Sequence, residues 1–190
     1  MRELTIIITA AFLGSLLTVA QDSTAAQPYE VADAYEIYSL LLPGEQSYGF
    51  AQGTLVIQEE TLASVELDDN CLTPQAAREF KDAIEDYKRH NKPMVLQRRY
   101  KIDRPYELVT TETIGNFIRD FNWDEFYKRY PGSGGIIMMS AVGFNRQRTL
   151  AIVYTWSTCN NLCGRGSFNL LKKAHGKWVS VPGVRCSVAS

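Results

Sequence analysis

Hydrophobic residues recur at helical spacing in separate parts of the chain. Between Val31 and Leu42 they follow the period of an amphipathic helix, and Pro43-Gly44 stops the pattern. Thr73-Pro74 is a typical helix start, because the hydroxyl can accept a hydrogen bond from an early amide and proline has no N–H to leave unpaired there. Aromatic residues at helical spacing then precede Pro131-Gly132. The predicted helices are 31–42, 73–90 and 123–130.

β-Prone runs separated by turn residues dominate the chain from Gly135 onward. The connections between these runs are short, so that neighbouring strands should pair antiparallel as a meander. The helix at 73–90 should cover one face of this sheet, because its apolar stripe must be buried. The predicted strands are 54–57, 94–102, 136–144, 150–157, 167–173 and 177–181, and 103–122 stays ambiguous. The chain is therefore predicted to be an α+β protein with one domain, in which helices cover a C-terminal antiparallel β-meander.

The first twenty residues differ from the rest, because no charged residue appears between Glu3 and Asp22. This apolar run, followed by small residues, is typical of a signal peptide with cleavage near Ala20 or Ala26. An uncleaved membrane anchor is the alternative, since the run is close to the ~17-residue lower limit for a span. We expect a signal peptide over 1–20, a flexible leader over 21–30 and the domain over 31–190. The expected location is periplasmic or extracellular, with no membrane span after cleavage.

The charges of the chain nearly cancel, with 20 basic and 21 acidic side chains among 190 residues. A formal net charge of -1 supplies no general field that would attract nucleic acid or an anionic lipid surface. We therefore expect no nucleic-acid partner.

Four cysteines are an even number, as two disulfides in an oxidising compartment require. Three connectivities are possible. If Cys159 and Cys163 close a small loop, Cys71 is left to reach Cys186 and would tie the middle of the chain to its end. The long loop would contribute on the order of 4–5 kcal/mol in the chain-entropy model. A zinc site is the alternative, but no C-x-x-C pair is present, and we expect no metal.

Few residues carry the marks of catalytic chemistry. His90 should end a helix, where an imidazole suits the negative end of the helix dipole, and His175 should lie in a hairpin turn. The chain has no G-x-S-x-G, H-E-x-x-H or P-loop motif, and Gly164-Arg165-Gly166 lacks the third glycine of a dinucleotide site. Arg165 is either an ordinary surface arginine or a guanidinium that the cysteine loop presents to a carboxylate or phosphate. We predict no catalytic residue and no cofactor.

Acidic residues offer a second hypothesis. Asp68-Asp69-Asn70 supplies hard oxygen ligands but lacks the remaining features of an EF-hand loop, and it is better explained as a turn. A hydrolase could assemble an acid/base pair from distant carboxylates, namely Glu59, Glu60, Asp68 and Asp69. Adjacent acids on a strand point to opposite faces, so that neither Glu59-Glu60 nor Asp124-Glu125 is by itself a dyad.

Several runs in the C-terminal third carry a resemblance. They are Ser140-Ala141-Val142-Gly143-Phe144-Asn145, Leu150-Ala151-Ile152-Val153-Tyr154, Cys159-x-x-x-Cys163-Gly164-x-Gly166, Leu170-Leu171-Lys172-Lys173 and Gly176-Lys177-Trp178. Together they resemble the ending of a group of uncharacterised exported bacterial proteins, which implies a shared hairpin scaffold and no activity. The Lys-x-x-Gly-Lys-Trp ending is also similar to the last hairpin of NTF2-like domains, whose cone-shaped sheet encloses a pocket.

These observations favour an exported, non-catalytic protein that binds an envelope protein or a small ligand. The sheet face or the rim of the cysteine loop would form the site, with Arg165 and Trp178 as candidate binding residues. The carboxylate-dependent hydrolase is the alternative function.

Overall fold

Helices and strands alternate along the first two thirds of the chain, and only strands follow. The computed structural model describes residues 26–45, 52–63, 65–68, 71–120 and 122–189, with the backbone alone described for 44–45 and 183–189. Its helices are α1 (Ala32–Glu45), α2 (Pro74–Glu79), α3 (Lys81–His90), α4 (Thr111–Arg119) and α5 (Trp123–Arg129). Its strands are β1 (Gln27–Pro28), β2 (Leu55–Gln58), β3 (Met94–Val95), β4 (Tyr106–Val109), β5 (Ile136–Met139), β6 (Gly143–Phe144), β7 (Leu150–Thr158), β8 (Gly164–Ala174) and β9 (Lys177–Ala189).

The main sheet has the strand order β4-β2-β5-β7-β8-β9, and β6 pairs with β7 beside this path. Strands β7, β8 and β9 are antiparallel neighbours, which confirms the predicted C-terminal meander. Strand β2 instead lies parallel to β4 and to β5. The short strands β1 and β3 pair in parallel as a separate ribbon.

The hairpin between β8 and β9 turns at His175 and Gly176, as predicted. Both residues have positive φ, 49° and 77°. Two consecutive residues with positive φ are the mark of a type I′ turn, whose twist matches that of antiparallel strands. Glycine accepts this backbone region without strain, and it occupies the second position of the turn.

Helices cover both faces of the sheet, because side chains along each strand alternate between them. On β7, Ala151 and Val153 pack in the core cluster that contains α1, whereas Ile152 and Tyr154 pack in the cluster that contains α2 and α3. A further cluster joins β2 and β5 to α4 and α5. The chain is thus an α+β protein, and the helical segment that begins at Thr73 covers the sheet as predicted.

The predicted helix over 73–90 is divided in two. Thr73 caps α2 by accepting a hydrogen bond from the amide of Ala76, as its sequence predicted. Phe80 separates the two helices, with φ −94° and ψ 10°, and its side chain is buried in the core under the sheet. The amide of Ile84 still bonds to the Phe80 carbonyl, so that the division is a local change of direction.

The predicted strand over 94–102 is wrong beyond Val95. The amide of Gln97 donates to the hydroxyl of Tyr35, and the amide of Lys101 donates to the hydroxyl of Ser39. Side chains of α1 therefore satisfy the backbone groups that a neighbouring strand would otherwise bond. Similarly, the predicted strand over 136–144 is interrupted between β5 and β6.

The N-terminal part of the domain begins within the segment predicted as a leader. Strand β1 pairs with β3, and the ring of Tyr29 is only 4% exposed. Residues 27–30 therefore pack with the domain predicted to start at residue 31. The predicted signal peptide over 1–20 and the cleavage site near Ala20 lie outside the described residues. Among the described helices, none combines the length and apolar character that crossing a membrane requires.

Candidate functional site

A cleft of about 520 Å³ lies where α3, the segment around β1 and the chain from Ala141 to Arg148 meet. We call it the α3 cleft. Its volume falls within the range typical of small-molecule sites. Three walls enclose it: one from α3, one from the N-terminal segment and one from the turn after β6. Met94 of β3 also lines it.

The α3 wall presents residues that lie one helical turn apart, namely Asp82, Glu85, Asp86, Arg89 and His90. Asp86 fixes this wall to the turn, because one of its carboxylate oxygens accepts a hydrogen bond of 2.9 Å from the backbone amide of Phe144. Its other oxygen lies 3.2 Å from the Arg89 guanidinium and 3.1 Å from Nδ1 of His90. The charge of Asp86 is therefore already shared among partners of its own chain.

His90 is the last residue of α3, as predicted, and its side chain is 57% exposed. Nδ1 lies 3.1 Å from both the Asp86 carbonyl oxygen and its carboxylate. This arrangement fixes the ring at the end of the helix, beside the negative end of the helix dipole. The predicted structural role of His90 is consistent with its position.

Tyr29 forms the deepest part of the N-terminal wall. Its hydroxyl accepts a hydrogen bond of 3.0 Å from the amide of Val142, so that it links two walls of the cleft. Burial raises the pKa of the Tyr29 phenol to about 12, although the bond from Val142 acts in the opposite direction. The phenol therefore remains neutral at physiological pH and serves as a hydrogen-bonding anchor.

The turn wall is held rigid by Asn145. Its side-chain oxygen accepts hydrogen bonds from the amides of Thr149 and Leu150, at 2.8 and 2.9 Å. Arg148 has a positive φ of 52° and places its guanidinium 5.3 Å from the centre of the Phe144 ring. Arg146 is exposed at the tip of the turn. The predicted connection between strands thus carries two of the guanidinium groups that line the cleft.

Asp33 of α1 anchors the back of the turn wall. Its carboxylate lies 3.6 Å from the Arg148 guanidinium and accepts bonds from Lys173, at 2.9 Å, and from the Trp178 indole, at 3.2 Å. Partial burial alone would raise the pKa of Asp33, but the bonds from Lys173 and Trp178 and the nearby positive charges lower it. Asp33 is therefore held as a carboxylate that joins α1 to the β8–β9 hairpin.

The two predicted binding residues lie far apart. Trp178 pairs across the hairpin with Lys173, eight residues along β8 from Arg165. This separation is roughly 26 Å at about 3.3 Å per residue. Trp178 is buried, contacts Phe144 behind the cleft and donates its indole N–H to Asp33. Arg165 is partly buried near the cysteine loop, and the structure does not bring it together with Trp178.

The cysteine loop is closed by a Cys159–Cys163 disulfide, with 5.5 Å between the Cα atoms. This is the short loop considered among the three possible connectivities. Side chains from α5 hold it in place: the Trp123 indole donates to Asn161 and the Tyr127 hydroxyl to the Cys159 carbonyl. Leu162 at its tip is 88% exposed.

Cys71 is also disulfide-bonded. The side chain of Cys186, its predicted partner, lies outside the described ones. That pairing stays a prediction.

Among the carboxylates of the hydrolase hypothesis, Glu59 and Glu60 directly follow β2, and Asp68 lies in the segment before α2. Glu60 accepts a hydrogen bond from the Thr111 hydroxyl, and the Asp68 carbonyl accepts one from the amide of Cys71. Asp69 lies outside the described residues. Within the described part of the chain, no three His, Cys, Asp or Glu side chains are grouped so that they could hold a metal ion.

The α3 cleft offers binding groups of both signs above a partly aromatic floor. Its lining residues in the described chain include no serine, threonine or cysteine that could act as a nucleophile.

No family model, curated protein or solved structure matches the chain. The resemblances to exported bacterial proteins and to NTF2-like domains stay predictions.

Sequence reasoning missed the cleft because its walls are distant along the chain. Tyr29 is 113 positions from the Val142 amide that it binds, and Asp86 is 58 positions from Phe144. The local signal was the i, i+4 spacing of Arg78/Asp82, Lys81/Glu85 and Glu85/Arg89, and in a helix such pairs are usually part of the solvated face.

Proposed function

We propose that this chain is an exported, non-catalytic protein that binds a small ligand in the α3 cleft. The observation that carries the proposal is the construction of the cleft. Its walls are fixed to one another by Tyr29–Val142 and Asp86–Phe144 hydrogen bonds, at 3.0 and 2.9 Å. A site whose walls are already connected loses little freedom on binding, which favours affinity.

The composition of the lining supports binding in preference to catalysis. The partly exposed Val31 and Met94 supply apolar surface, and charged groups stand at the rim. Ligand sites in proteins typically combine an apolar interior with a few polar groups that orient the ligand. Export is supported by the Cys159–Cys163 disulfide, because such bonds persist in oxidising compartments.

A thermal-shift screen of small molecules against the protein tests ligand binding. Compounds that raise the unfolding temperature are then measured with Arg89→Trp, which fills the cleft from its α3 wall. Arg78→Trp is the matched control, because Arg78 is an exposed arginine on α2 and does not line the cleft. Stabilisation that is lost in Arg89→Trp and kept in Arg78→Trp supports the proposal. Stabilisation that survives Arg89→Trp would place the ligand elsewhere and refute it.

Intact mass of the protein from its native host, alkylated without reduction, tests export. A chain that begins near Gln21 or Gln27 and carries no alkyl groups agrees with signal cleavage and two disulfides. A full-length chain with four alkylated thiols would contradict export.

A further inference from the structure

The charged groups around the α3 cleft are unequally engaged. Seven side chains with a full formal charge line it, four acidic (Glu30, Asp82, Glu85, Asp86) and three basic (Arg89, Arg146, Arg148). A charge that is already paired within the protein contributes little to a ligand, whereas an unpaired one remains available. Removing the paired groups from this set therefore indicates which charges a ligand would meet.

Most of these side chains have partners. Asp86 lies 3.2 Å from Arg89, and Arg148 lies 3.6 Å from Asp33. Glu30 binds Arg99 at 2.7 Å outside the cleft. Glu85 has a longer contact of 3.9 Å with its neighbour on the helix, Lys81.

Asp82 and Arg146 are the two charged lining residues that are left when the paired ones are removed. Within the described residues neither has an ion-pair or hydrogen-bond partner, and both are exposed at the rim. They stand on different walls, Asp82 on α3 and Arg146 on the turn after β6. The cleft thus offers one free carboxylate and one free guanidinium, with apolar side chains between the walls.

We propose that the α3 cleft takes a zwitterion with an apolar body, such as a short hydrophobic peptide with free ends. This inference rests on the proposed ligand-binding function and adds the class of ligand. Asp82 receives the ammonium group, and Arg146, whose planar fork matches a carboxylate, receives the other end. The apolar part lies against Val31 and Met94, the partly exposed apolar residues of the lining.

Isothermal titration with three probes tests the assignment. Leucyl-leucine carries both charges, N-acetyl-leucyl-leucine keeps only the carboxylate, and leucyl-leucinamide keeps only the ammonium group. We expect each single-charge probe to bind about five- to tenfold more weakly than the zwitterion, because contacts made by solvent-exposed charges lie below the range for buried charge-assisted hydrogen bonds.

Substitutions identify which protein side chain binds the carboxylate of the dipeptide and which binds its ammonium group. Arg146→Gln should weaken leucyl-leucine about five- to tenfold and leave leucyl-leucinamide unchanged, because the amide has no carboxylate to lose. Asp82→Asn should weaken leucyl-leucine and leave the N-acetyl probe unchanged. Arg78→Gln and Asp120→Asn are matched exposed controls outside the cleft, and both should bind like the unsubstituted protein.

Each alternative result has a distinct meaning. If the capped probes bind as tightly as the zwitterion, or if binding survives both substitutions, the zwitterion assignment is wrong. If no probe binds while a compound from the screen binds in a manner sensitive to Arg89→Trp, the ligand class is wrong and the binding function stands. If neither probes nor screen show a cleft-dependent ligand, both proposals fail.

Discussion

Gly143 allows α3 to approach the sheet, and its replacement is the sharpest test of the packing. A Cβ atom built on Gly143 would lie 2.5 Å from the backbone nitrogen of Tyr87, and the carbonyl oxygen of Ala83 would be closer still. Both atoms belong to the helix backbone, which no rotamer change can move aside. The substitution Gly143→Ala therefore requires α3 to withdraw from β6.

The size of the effect follows from the distances. Ordinary contacts to a Cβ atom begin near 3.4 Å, so that the helix must withdraw by roughly 1 Å. Overpacking of a well-packed core costs about 1–3 kcal/mol, and a clash with rigid backbone belongs at the upper end. For a protein of this size, about 3 kcal/mol lowers the unfolding temperature by roughly 6–12 °C.

Denaturant unfolding followed by circular dichroism measures this loss. Gly115→Ala is the control, because the Cβ atom would meet only the Arg119 side chain at 3.7 Å or more. Alanine favours the interior of α4 over glycine, so that Gly115→Ala should stabilise by about 0.5–1 kcal/mol. If Gly143→Ala unfolded within about 0.5 kcal/mol of the original protein, with the same denaturant dependence, the close packing of α3 on β6 would be refuted.

Three further predictions concern charge and covalent structure. Burial raises the pKa values of Tyr29 and Tyr87 from 10.0 to about 12, so that the folded state binds more protons between these pH values than the unfolded state does. Stability should therefore be full below pH 10 and decline by on the order of 2–3 kcal/mol per tyrosine as pH rises through 12, and a free energy of unfolding that stays unchanged between pH 10 and 12 would contradict this. Asp33→Asn should destabilise the protein by about 1–2 kcal/mol at pH 7. The pKa of Asp33 in the folded protein is lowered from 3.8, so that the difference in stability between the two proteins should shrink as pH falls below 3.8. A difference in denaturant unfolding that does not change with pH would argue against the ion pairs of Asp33. Replacing Cys159 and Cys163 together with serine should cost about 2 kcal/mol for so short a loop, and unchanged denaturant unfolding would show that the loop is held by its hydrogen bonds alone.

Local signals in the sequence predicted local structure well. The cap at Thr73, the turn at His175 and the short cysteine loop all depend on residues close to one another in the chain. A helix cap of the same kind lies in the segment 103–122, for which no structure was predicted. There Thr110 caps α4 by accepting a hydrogen bond from the amide of Thr113. The meander of β7, β8 and β9 could also be predicted, because strands joined by short turns pair with their neighbours in the sequence.

Long-range pairing could not be predicted in this way. Strand β2 is parallel to β4 and β5, which lie about fifty and eighty positions further along the chain. Its run of apolar residues identifies a buried strand but no partner. The partner of Cys71 could not be predicted either, because the spacing of four cysteines allows three connectivities. The α3 cleft depends on such long-range contacts throughout, which explains why neither Asp82 nor Arg146 stood out.

The tyrosines of the N-terminal segment and α1 explain both the failed strand predictions and the shape of the cleft. The hydroxyl of Tyr35 accepts from the amide of Gln97, that of Tyr29 accepts from Val142, and that of Tyr38 donates to the carbonyl of Ser140. Each bond satisfies a backbone group that would otherwise favour a strand partner. Segments that look β-prone in sequence are therefore held as irregular chain, both after β3 and between β5 and β6. Strands β5 and β6 both pair with β7, and the irregular residues between them place the Val142 amide against the Tyr29 hydroxyl, so that this interruption forms part of the α3 cleft.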